Sequence, residues 1–174
     1  MKTEHYFLTF FILTVAQILV CNYLNLSHYI TLSFLPLLVL CIPIRYGTIP
    51  SMLVAFAAGL SVDIFSEGVI GLNALSLVPV AALRIPIISA VFGTGLLARK
   101  EDLSIGKHGF FKFSTAILIA QSIFLILYIW TDGAGMRTFS FNLLKFLCSL
   151  GAGFVVSIFI LLSVSSNNRE SKWK

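Results

Sequence analysis

Polar positions in this chain are spaced at bilayer lengths, not at the short periods of a half-buried strand or an amphipathic helix. Residues 6 to 44 contain no Asp, Glu, Lys or Arg, a stretch long enough for two crossings of about 20 residues each. Charge-poor windows recur beyond it, and the set predicts spans at 6–24, 29–44, 47–65, 71–92, 113–131 and 143–164. The loops between them are short except for Gly93 to Lys112, which carries Arg99, Lys100, Glu101 and Asp102. That connection is either a solvated, charge-balanced loop or a docking site for a cytoplasmic partner. The basic tail from Ser165 to Lys174, with Trp173, suits an interfacial anchor or a disordered end.

Composition excludes the main alternative. Of 174 residues 58% are hydrophobic and 11% charged, against about 25% charged in a soluble domain. A water-facing globule would lack the charge to cover itself. The expectation is an all-α integral membrane protein, one transmembrane domain over 1–174 with six transmembrane helices, whose function resides in or next to the bilayer. Lys2, Arg45, Arg99, Lys100, Lys107, Lys112, Arg169, Lys172 and Lys174 fall on one side of this topology, Arg137 and Lys145 on or near the other, and Arg84 within a span. The positive-inside rule then places both termini in the cytoplasm. The net charge of +5 reflects topology and attraction to anionic membrane lipids, and needs no nucleic acid.

Several features narrow the chemistry without fixing it. Cys21, Cys41 and Cys148 lie in apolar runs with no C-x-x-C spacing, which argues against a disulfide framework or a zinc site. Lys2 followed by the apolar Tyr6–Val20 stretch resembles a secretory signal. No small-x-small cleavage pattern follows, and Val20 before Cys21 suits lipoprotein processing poorly, so the stretch is expected to be a retained first span. A shift of 43 positions aligns Ser33–Ile44 with Ser76–Ile87 at six identities in twelve. This is either a parallel repeat of a two-span unit or two proline-kinked helices drawing on one small alphabet.

Residues 55 to 87 depart from the monotony of the spans. Ala55, Gly59 and Asp63 recur every four positions and share one helical face, where small residues let another helix approach closely. Gly68 and Gly71 bracket a turn, and Asn73 is placed to cap the following helix. The pattern predicts a tightly packed helical hairpin. Asp63 and Glu67 are the only acids between residues 5 and 100. Asp63 is either a functional carboxylate or an ordinary interfacial acid at the outer end of its span. Arg84 lies 13 residues past Gly71, roughly 20 Å down the helix and too deep for an ion pair with Asp63. It is expected to snorkel inward or to bond the carbonyls freed by Pro79 and Pro86, those of Leu75 and Ala82. The alternative is a polar cavity or a partner contact.

The run from Gly59 to Leu75, with Asp63, Phe65, Ser66, Gly68, Gly71, Leu72, Asn73, Ala74 and Leu75 at fixed spacing, resembles the G-L-x-x-D-x-x-S-x-x-x-x-G-L-x-A-L hairpin of the rod shape-determining protein MreD family. Glu67 stands where a small residue is frequent. The resemblance implies a fold similar to the S components of energy-coupling-factor transporters, and a place in the bacterial cytoplasmic (inner) membrane. It further implies binding to MreC, within a complex that includes MreB, RodA and a class B transpeptidase and that directs lateral peptidoglycan synthesis.

Three function classes follow. The first is a non-enzymatic scaffold that uses the Ala55–Gly59–Asp63 face and the outer hairpin as its contacts, without cofactor or metal. The second is a small-molecule carrier of the S-component type. Such a carrier needs a polar pocket, and beyond residues 59 to 84 the spans offer only Gln17, Asn22, Gln121 and Asn142. Its first span also has only Ala16 for the A-x-x-x-A contact that S components share. The third is an enzyme, which the sequence argues against. Asp63 has no second embedded aspartate to partner it in an aspartyl protease, and His5, His28 and His108 lie on a tail and on loops at opposite sides.

Overall fold

The computed structural model describes residues 3–23, 30–66, 69–93, 95, 109–133 and 136–170. Glu67, Gly68, most of the Gly93–Lys112 connection and the end of the basic tail lie outside them. The described chain is helical: α1 (Thr3–Tyr23), α2 (Leu35–Leu40), α3 (Thr48–Phe65), α4 (Leu72–Phe92), α5 (Phe110–Gly133) and α6 (Phe139–Glu170). Four of these are long and apolar enough to cross a membrane: α3, α4, α5 and α6 through Ser163. The chain is a helical, multi-pass membrane protein.

Neighbouring helices in sequence are neighbours in space. α3 packs on α4, α4 on α5 and α5 on α6, while α1 lies against α3. The core sits at the centre of this array, where α2 touches α1, α3, α4 and α5. Every residue of α2 is buried, and Phe34, Leu35, Val39, Val62, Leu77, Ala81, Ile117, Phe124 and Ile129 pack into one cluster.

The segment 29–44, expected as a continuous span, is corrected by the structure. Only Leu35–Leu40 is helical, about 9 Å of rise, and residues 31–34 run without regular structure before it. Pro36 explains where the helix starts. A helix continued upstream would need an amide at position 36 to bond the Leu32 carbonyl, and proline has none. At the start of α2 that missing donor does no harm.

The segment nevertheless progresses in depth across the bundle. Thr31 meets Ser149, ten residues into α6, and Pro43 meets Arg84 in the second half of α4. Irregular backbone at membrane depth is tolerated only where protein surrounds it, and five longer helices do so here. The internal similarity at 43 positions therefore does not extend to conformation. Pro79 and Pro86 lie inside the continuous helix α4, whereas their counterparts Pro36 and Pro43 bound a six-residue one.

Candidate functional site: a hairpin clasp and a clamped core segment

The first constellation joins the end of α3 to the start of α4. Gly59 faces α4 so closely that a Cβ there would lie 2.6 Å from Ala74 Cα and 2.7 Å from Ala74 N. Only a residue without a side chain permits that approach. One turn further on, Asp63 is 2% exposed and accepts four hydrogen bonds. The Gly71 and Ala74 amides donate to Oδ2 at 3.0 and 3.2 Å. The Asn73 amide and side-chain Nδ2 donate to Oδ1 at 3.1 and 2.8 Å.

Asp63 is therefore the cap of α4, supplied from the preceding helix. It meets amides that have no partner inside α4, at the end where the helix dipole favours negative charge. Gly71 takes φ 93°, a left-handed conformation, and brings no capping side chain of its own. Asn73, expected to be the cap, is instead a second donor to the carboxylate.

These contacts decide what the small-residue face does. Ala55 is fully buried, and Gly59 and Asp63 are covered by α4. The Ala55–Gly59–Asp63 face, expected to be a contact for another protein, is occupied within the chain. The tight hairpin is present as expected. Leu72, Asn73 and Ala74 are buried with it, and the amide of Ser66 closes α3 on the Val62 carbonyl. Among the described residues of the hairpin, Phe65, Val69, Ile70 and Leu75 are apolar and all more than half exposed. Asn22 of α1 secures the same end by donating to the Phe65 carbonyl at 3.0 Å.

Arg84 forms the second constellation, toward the opposite end. It is 0% exposed and donates from Nη1 to Ser51 Oγ at 3.1 Å and from Nη2 to the Pro43 carbonyl at 3.2 Å. It does not snorkel to water. These two hydrogen bonds reach α3 and the chain just after α2. The expectation that it stays apart from Asp63 agrees with these partners.

The third constellation was not foreseen. Gln17 on α1 donates to the Leu32 carbonyl and accepts from the Phe34 amide, both at 3.0 Å. Gln121 on α5 donates to the Ser33 carbonyl at 2.7 Å, and Ser149 on α6 accepts from the Thr31 amide at 2.9 Å. Side chains from three helices thus replace the ladder that Pro36 interrupts, and the carbonyl Gln17 takes is the one proline leaves bare. Gly153 makes room, since a Cβ there would fall 2.5 Å from Gln121 Nε2. A Gln in one charge-poor span with a proline in the next is the sequence signal for such a clamp.

Among the described residues no group of three His, Cys, Asp or Glu side chains converges as a metal site. No protein-family model matches this chain, and neither a curated protein nor a solved structure matches it.

Proposed function

We propose that this chain is a non-enzymatic membrane scaffold of the MreD type, which binds MreC in the bacterial cytoplasmic membrane and supports rod shape and lateral peptidoglycan synthesis, with MreB, RodA and a class B transpeptidase as indirect partners. One observation carries the reading: the residues of the hairpin signature have constructional roles. Gly59 admits α4, Asp63 caps it, Gly71 makes the left-handed entry and Asn73 closes the clasp. A motif so used builds a tight projection, and the exposed described residues of its rim, Phe65, Val69, Ile70 and Leu75, are apolar and suited to gripping another protein.

The second reading, a small-molecule carrier, has the interrupted central segment in its favour, because transporters place ligands beside broken helices. Against it, both ends of the Gln17 amide and the donor of Gln121 are engaged by backbone. The test is crosslinking in native membranes from cysteines placed at Phe65, Ile70 and Leu75. Capture of MreC is expected. No captured wall-synthesis protein, together with thermal stabilisation of the purified chain by a vitamin, would replace the scaffold with the carrier.

A further inference from the structure

Where α5 ends and α6 begins, two cations share one carboxylate. Arg137 Nη1 and Lys145 Nζ both donate to Asp132 Oδ2, at 2.6 and 3.2 Å. Guanidinium and ammonium together carry eight N–H donors, and this carboxylate engages one from each. The corner keeps a surplus positive charge that the backbone does not cancel, because the negative end of α5 and the positive end of α6 offset each other there.

Lys145 is only 7% exposed although it lies six residues into α6, so its surplus charge is largely withdrawn from bulk water. Asn142, 5% exposed, adds an independent feature: its Oδ1 is buried without a hydrogen-bond partner. It belongs to the same corner, since a Cβ on Gly133 would lie 3.7 Å from Asn142 Oδ1 and 3.8 Å from Arg137 Cβ. Trp130 and Phe139 meet edge to face with centroids 6.1 Å apart, and both are partly exposed. Paired aromatics at a span end mark the head-group level of a bilayer.

We infer that this corner binds an anionic phospholipid, its phosphate held by Arg137 and Lys145 and a head-group hydroxyl donated to Asn142 Oδ1. The phosphate supplies the missing negative charge, and the hydroxyl supplies the donor that the buried acceptor lacks. A glycerol head group offers both, whereas phosphatidylcholine offers no hydroxyl donor and no net charge.

The test uses the full chain in nanodiscs of mixed phosphatidylglycerol and phosphatidylcholine, with retained lipid counted by native mass spectrometry. Wild type is expected to enrich phosphatidylglycerol. Arg137→Gln and Lys145→Gln should each lower that enrichment about fivefold, the worth of one cation near an anionic surface. Asp132→Asn should raise it, because the carboxylate no longer competes with phosphate. In companion nanodiscs of mixed phosphatidylglycerol and phosphatidic acid, wild type is expected to prefer phosphatidylglycerol and Asn142→Leu to lose that preference. Arg137 is partly exposed, so its variant keeps the test readable if Lys145→Gln does not fold. Enrichment unchanged across these variants, with Asp132→Asn merely less stable, would reduce the corner to a structural ion triad and overturn the inference. Equal thermal stabilisation by inorganic phosphate in phosphatidylcholine alone would do the same, by assigning the site to free phosphate.

Discussion

Gly59→Ala is the most direct probe of the hairpin, because one methyl group meets backbone on the opposite helix. The added Cβ would lie 2.6 Å from Ala74 Cα, 2.7 Å from Ala74 N and 2.9 Å from the Asn73 carbonyl carbon. Restoring ordinary contact at 3.4 Å requires the start of α4 to retreat by about 0.8 Å, since none of those atoms is a flexible side-chain end. The same movement lengthens the hydrogen bonds to Asp63, now 2.8 to 3.2 Å, beyond useful range. Overpacking of this kind costs about 1–3 kcal/mol. A weakened charge-assisted cap adds about 1–2 kcal/mol, for a total of about 2–5 kcal/mol. Unfolding of the purified protein by SDS titration measures this. A cycle with Asp63→Asn should show strong non-additivity, because both substitutions break the same clasp. A Gly59→Ala protein as stable as wild type to within about 0.5 kcal/mol, or a strictly additive cycle, would refute the close approach and the shared cap together.

The clamped segment yields two further predictions by the same unfolding measurement. Gln17→Leu strands both the Leu32 carbonyl and the Phe34 amide and should cost about 2–5 kcal/mol, whereas Gln121→Leu strands only the Ser33 carbonyl and should cost about 1–3 kcal/mol; equal effects would contradict the assignment. Gly153→Ala should displace Gln121 and cost about 1 kcal/mol, and should cost less in a Gln121→Ala background, where only the Ser33 carbonyl, 3.3 Å from the added Cβ, still opposes alanine's helix propensity. Arg84→Met should be tolerated to within about 1 kcal/mol or stabilise, because Ser51 also bonds the Gly47 carbonyl and the Pro43 carbonyl also accepts from the Tyr46 amide. A loss above about 3 kcal/mol would mean that the guanidinium holds α4 to its neighbours.

Long uncharged runs determined on their own that this chain is helical and membrane-embedded, because hydrocarbon admits no unpaired backbone and penalises charge at every position. Ala55 and Gly59, four apart with Asp63 on the same face, and the turn bracketed by Gly68 and Gly71 likewise determined a tight hairpin, since small residues at that spacing let two backbones approach. Tertiary structure decided what covers that face, which is α4 of the same chain and not a second protein. It also decided that residues 31–34 leave the helical path. Pro36 permits a break there, but so do Pro79 and Pro86 in α4, where the helix continues. Hydropathy is blind to the difference, because it scores each segment against lipid, while the break at Pro36 is stabilised by Gln17, Gln121 and Ser149 reaching in from three other helices.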